Sequence, residues 1–157
     1  MKRDRITTLL IFIIGTELVG AVSAILSGGE FSEFYKTLNA PPLSPPTWLF
    51  PIAWGILYAL MGWSAYLIYD SEHQNRRGAL VLYGVQLFLN FMWSIVFFRF
   101  RSLLGAVITI VLLLIAVLLM AGAFYRIRPK AGILNLPYLL WLVFATYLAI
   151  GNYVLNA

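Results

Sequence analysis

The sequence predicts an all-α membrane protein, a bundle of five transmembrane helices forming a single domain over residues 1–157. Five long apolar runs, separated by short polar breaks and one Pro-rich connection, fill nearly all of the chain. Its residues are 62% apolar and 11% charged, which leaves too little polar surface for a soluble domain. None of the runs alternates with the period of two that a barrel strand needs, so helices must satisfy the backbone in hydrocarbon.

The first run, Ile6–Leu26, is close to the roughly 20 residues that cross about 30 Å of lipid. Lys2, Arg3 and Arg5 ahead of it, with Ala21, Ser23 and Ala24 inside it, imitate a signal peptide. Its apolar stretch is longer than a signal core, which predicts a retained helix. Glu17 stands roughly 16 Å along that helix from Ile6 and is the formally charged residue deep in a span. It reads as hydrogen-bonding glue between helices, with a proton-coupled or ligand-contacting role as the alternative. Gly20 and Ala24 permit close helix approach, as in a dimer.

Gly28 and Gly29 are expected to end this helix, and residues 27–46 form a long connection that reads as a lid. Pro41 and Pro42 enforce extended backbone, while Ser44 and Pro45 supply the N-cap and first position of the second helix. Pro51 removes a donor in its early turns and is expected to bend it. Phe34 and Tyr35 give the connection aromatic weight, suited to a lid or to anchoring at headgroup depth.

The second span covers residues 47–69, and on it Trp54 and Tyr58 lie one turn apart. On the third, 79–98, Gln86, Asn90 and Trp93 follow at spacings of four and three, so they share a face that cannot point to lipid with its amides unpaired. The fourth covers 103–125 and the fifth 133–155, where Trp141 lies one turn from the small Ala145.

Eight of the eleven basic residues (Lys2, Arg3, Arg5, Arg76, Arg77, Arg126, Arg128, Lys130) fall on one side of this topology, against Lys36, Arg99 and Arg101 on the other. The positive-inside rule then puts the N-terminus in the cytoplasm and the C-terminus outside. This arrangement accounts for the net charge of +5 without a nucleic-acid partner. Helical spans favour a plasma-type membrane over an outer membrane, whose spans are barrels.

Trp48 and Trp63 suit interfacial anchors. Trp54, Trp93 and Trp141 lie well inside the spans and carry two readings. One is helix packing, with each indole N–H on a neighbouring carbonyl. The other is an aromatic-walled pocket for a flat apolar ligand that Asn90 and Gln86 orient.

The stretch Phe34-Tyr35-Lys36-Thr37-Leu38-Asn39-Ala40-Pro41-Pro42-Leu43-Ser44-Pro45-Pro46-Thr47-Trp48, followed by Trp54, Leu57-Tyr58 and Met61-Gly62, resembles the signature of the tryptophan-rich sensory protein family, also called translocator proteins or peripheral benzodiazepine receptors. Leu82-Tyr83-Gly84-Val85-Gln86-Leu87-Phe88-Leu89-Asn90-Phe91-Met92-Trp93 with Phe97-Phe98, and Pro137-Tyr138-Leu139-Leu140-Trp141 through Phe144-Ala145-Thr146, extend it over nearly the whole chain. The resemblance implies a five-helix, commonly dimeric bundle that binds protoporphyrin IX, haem-type tetrapyrroles and synthetic ligands beneath the first loop. Trp54, Asn90, Trp93, Trp141 and Ala145 match the family's pocket, and Tyr35, Pro45 and Tyr58 its rim or wall.

Two positions depart from the family. Phe34 replaces a tryptophan, keeping the ring without its N–H. Ile150 and Val154 stand where a sterol pattern needs tyrosine and a basic residue, which argues against a sterol partner; Leu119, Tyr125 and Arg128 fit the same loose pattern by chance.

The chain has no cysteine and one histidine, His73, in a polar connection, which removes thiol chemistry, zinc pairs and strong axial haem ligation. No metal site or required cofactor is expected; Met61, Met92 and the tyrosines are the weak axial alternatives. The resemblance leaves three functions open: a tetrapyrrole-binding sensor or regulator of porphyrin metabolism or stress, a transporter of porphyrins or other small apolar ligands, and an enzyme of light-dependent porphyrin breakdown. In the last, Trp54 and Trp141 would donate electrons to the excited pigment.

Overall fold

The computed structural model of the chain describes residues 2–27 and 31–157. In order it contains α1 (Lys2–Leu26), the short α2 (Phe31–Thr37), α3 (Leu49–Tyr69), α4 (Arg76–Ser94) continued by a π-helical turn (Ile95–Arg99), α5 (Leu103–Ile127), the short α6 (Pro129–Ile133) and α7 (Leu136–Asn156). There is no strand among the described residues, and five helical stretches are long and apolar enough to cross a bilayer. Their outer faces carry side chains such as Ile11, Ile25 and Leu140, each more than 60% exposed, a surface suited to lipid rather than water.

The glycine pair Gly28–Gly29, expected to stop α1, lies outside the described residues. The start of the next span differs from expectation. Ser44 donates its hydroxyl to the Pro41 carbonyl at 2.7 Å and closes a loop turn, while Trp48 occupies the N-cap position of α3. Pro45 cannot open the helix because Pro46 follows it and holds it out of the helical region. Pro51 is the third residue of α3, where its missing N–H would have had no intrahelical partner in any case. The last span is also subdivided: α6 ends at Ile133, and α7 restarts after Asn135 with Pro137 in its first turn, a position proline favours.

Packing follows from small residues and buried hydroxyls. Helix α1 lies on α3 and α4, α5 lies between α4 and α7, and α6 tucks against α3 and α5. A Cβ at Gly62 would come within 2.6 Å of the Ile13 Cα, so α1 and α3 meet backbone to backbone. Helix α1 is tied to α4 by the Thr16 and Tyr83 hydroxyls, which are hydrogen-bonded, and by Ser23 Oγ, which donates to the Phe91 carbonyl at 2.9 Å. Met61, Ile68, Ile110, Leu113, Met120, Phe124 and Leu142 make a closed apolar core. Helices α3 and α7 instead face each other through aromatic side chains, and this gap holds the candidate site.

Two ends are distinguishable. At one, Arg128 lies 4.0 Å from Asp70, Arg76 donates to the Ser71 carbonyl at 2.8 Å, and the Lys130 ammonium sits 4.7 Å from the centre of the Trp63 ring. At the other, Arg101 lies over the Phe34 ring, and the α2–α3 connection is clasped to α7. There the Asn39 N–H donates to Asn156 Oδ1 at 2.8 Å, Asn156 Nδ2 returns a bond to the Asn39 carbonyl at 3.0 Å, and the Tyr147 hydroxyl donates to the Pro42 carbonyl at 2.7 Å.

Candidate functional site

The site lies under that clasp, between the first turns of α3, the last turn of α4, the π turn and α7. Trp54 of α3 and Trp141 of α7 meet edge to face, 6.3 Å between centroids at 84°. Phe50 bridges Trp141 to Tyr35 at 6.0 and 5.4 Å. On the opposite wall Trp93 stacks on Phe97 at 5.4 Å and 5°, and Phe98 stands perpendicular to both. The π turn makes this wall: the Phe100 N–H reaches back five residues to the Ile95 carbonyl at 3.0 Å. The wider turn accompanies two consecutive phenylalanines that are both buried beside Trp93.

A chain of hydrogen bonds joins α3, α4 and α7. The Tyr58 hydroxyl donates to Asn90 Oδ1 at 2.6 Å, and Asn90 Nδ2 donates to the Tyr138 hydroxyl at 2.9 Å. Tyr138 in turn donates to Gln86 Oε1 at 2.8 Å, and Gln86 Nε2 points to the Met61 sulfur at 3.7 Å. Gln86 and Asn90, at 0% and 3% exposure, therefore have partners within the protein, which is what a buried amide requires.

Polar atoms without partners are found instead mostly on residues that line the chamber. Five buried side-chain atoms lack a hydrogen bond among the described residues. Four of them, Tyr35 Oη, Trp93 Nε1, Trp141 Nε1 and Asn152 Oδ1, belong to residues lining this chamber. The expectation that each deep indole N–H finds a carbonyl is not met at Trp93 or Trp141. An orphaned buried group costs about 1–3 kcal/mol, which a complementary ligand recovers. The chamber itself is nearly filled, with about 30 Å³ of free volume, enough for a water molecule or two.

A second cavity of about 370 Å³ adjoins it, between α1, α3 and α4. The two share Phe50, Trp54, Trp93 and Phe98 as walls. Glu17 lines this second cavity and makes no hydrogen bond or ion pair among the described residues, so it does not act as the interhelical glue expected of it. Gly20 receives the Tyr58 ring, and Ala24 lines the cavity.

The structure brings Tyr35, Trp54, Trp93, Trp141 and Ala145 together around the inner chamber and puts Tyr58 on the outer cavity. Asn90 and Gln86 belong to the hydrogen-bonded chain, and Pro45 lines neither space. Sequence reasoning missed Asn152, Phe50 and the network role of Tyr138. Asn152 was detectable by the rule that singled out Asn90, an amide inside a span. Tyr138 was hidden because periodicity assigns a face to a helix without saying what opposes it.

Against known proteins, the model of the TspO/MBR family matches residues 10–154. The tryptophan-rich protein TspO of Archaeoglobus fulgidus is 34% identical over 152 residues, covering 97% of this chain and 99% of that protein. The tryptophan-rich sensory protein of Cereibacter sphaeroides is 36% identical over 114 residues, 73% of this chain and 71% of its own length. The translocator protein of Bos taurus is 34% identical over 137 residues, with 85% and 81% covered.

Proposed function

We propose a function for this chain from one premise: it belongs to the TspO/MBR family. Membership and the apolar helices make it an integral, multi-pass membrane protein of the sensory or translocator type. Within that class, the reading we put forward is a sensor or regulator that binds a tetrapyrrole, protoporphyrin IX or a haem-type relative, beneath the clasped loop. The observation that carries it is that four polar atoms without partners among the described residues belong to residues lining one aromatic chamber. Three are donors and one is an acceptor, a pattern complementary to a flat ring system bearing carboxylates and an N–H. Trp54, Trp93 and Trp141 would stack on the ring, and Tyr35, Trp141 and Asn152 would orient it.

Closed as it is, the chamber is too small for such a ligand, so on this reading its own aromatic walls part on binding. The same proposal includes an N-terminus in the cytoplasm, a homodimer as the working assembly and a plasma-type membrane.

Titration with protoporphyrin IX in the dark, followed by quenching of tryptophan emission, tests the reading. Saturable binding is expected, weakened tenfold or more, about 1.4 kcal/mol, in folded Trp141→Ala and Asn152→Leu variants. Equal binding in all three proteins, or none that saturates, sinks it and leaves transport of a different apolar ligand as the leading idea.

A further inference from the structure

We propose that the cavity beside Glu17 is a second binding site, for amphipathic aromatic molecules that carry a protonated amine and enter from the bilayer. The proposal does not depend on the tetrapyrrole reading, because it rests on a different space and a different polar group. Three observations carry it. The space is real, about 370 Å³, because the α1 wall is built of Gly20, Ala21 and Ala24, which withhold side-chain volume where neighbouring turns of α1 carry leucine, valine and isoleucine. Ala21 and Ala24 are exposed on the outer surface of the bundle, so the cavity opens sideways, toward lipid. Ser27 and Ser94 line it too, and its acidic group is the Glu17 carboxyl, without a hydrogen bond or ion pair among the described residues.

A carboxyl group in a low-dielectric setting needs a partner, and none is found among the described residues. The same cavity is lined by Trp54, Tyr58 and Trp93. Aromatic faces beside a carboxylate are the two elements that recognise an organic ammonium, through cation–π attraction and a charge-assisted hydrogen bond. An aromatic amine satisfies the whole cavity: its ring packs on the indoles and its ammonium meets Glu17. A molecule whose polar groups are carboxylates is disfavoured there by like charge. The cavity therefore selects a ligand class opposite in charge to the one the inner chamber suits.

The test uses the 157-residue chain in detergent micelles, with 1-naphthylmethylamine as probe and 1-naphthylmethanol as its uncharged counterpart, followed by isothermal titration calorimetry. Glu17→Gln removes the charge at nearly constant shape, and Ala24→Leu fills the cavity while leaving the carboxyl in place. The amine is expected to bind wild type saturably and both variants tenfold or more weakly, about 1.4 kcal/mol, with the alcohol indifferent to Glu17→Gln. Amine binding that is equal in wild type and Glu17→Gln, or alcohol binding as tight as that of the amine, overturns the proposal. Should Glu17→Gln fail to fold, Ala24→Leu decides: undiminished amine binding in it overturns the site. Protoporphyrin IX titrated into wild type and Glu17→Gln in parallel separates the two readings, since a wild type that binds the amine through Glu17 but does not bind porphyrin leaves this site standing while the tetrapyrrole reading falls.

Discussion

At the scale of single residues, the division is between polar groups that have partners and polar groups that do not. Tyr138 stands between Asn90 and Gln86 and donates to one while accepting from the other. Tyr138→Phe would leave Asn90 Nδ2 and Gln86 Oε1 buried and unpaired. A destabilisation of about 1–2 kcal/mol is expected, read as a lower midpoint in thermal unfolding followed by near-UV circular dichroism. Trp141→Phe should behave in the opposite way. It keeps the ring against Trp54 and Phe50 but removes an indole N–H that has no partner, so the empty protein should be as stable as wild type or more so. Porphyrin affinity should fall in the same variant. A clear loss of stability in Trp141→Phe would mean that its N–H is satisfied within the protein and is not held for a ligand.

Elements act here through close approaches. Gly62 is where α1 and α3 touch, and any side chain there meets backbone atoms of Phe12 and Ile13, which cannot move aside as a flexible side chain would. Gly62→Leu should separate the two helices and lower the unfolding midpoint well below that of Gly55→Leu, where nothing lies within 4 Å of the added Cβ. Equal effects would refute the contact. The loop clasp is a separate unit: Asn39 and Asn156 exchange two bonds, Tyr147 adds a third, and Leu43 is held at a φ of 68°, which favours glycine. Asn156→Ala should leave the bundle intact while speeding hydrogen exchange in residues 38–48, and should raise both association and dissociation rates of a chamber ligand. Unchanged exchange in that loop would show that the clasp does not hold it.

On the scale of the molecule, the basic residues sort into the two ends as loop charges predict. Arg76, Arg128 and Lys130 are engaged at one end, and Arg101 lies near the clasp at the other. A chain with no cysteine is well suited to measuring which end faces the cytoplasm. In cells, Thr37→Cys should react with an impermeant maleimide added outside, and His73→Cys should react only after the membrane is opened. The reverse pattern would invert the topology without altering the fold.

Hydropathy alone marked the spans to within a few residues, because the cost of an unsatisfied backbone in hydrocarbon permits no other structure over such runs. Charge distribution grouped the ends, and scarcity of polar residues within the spans pointed to Gln86, Asn90 and the deep tryptophans. The direction of each polar bond was not legible: Asn90 and Gln86 share a face with Trp93, yet the Tyr138 hydroxyl from α7 occupies them, and in the chamber it is Asn152 Oδ1 that is left open. Nor was the π turn, which depends on how Trp93, Phe97 and Phe98 pack against Phe34. Spans are a property of each segment in its solvent, legible one segment at a time. Which buried group finds a partner depends on what the facing helix brings, and that is decided only when the helices pack.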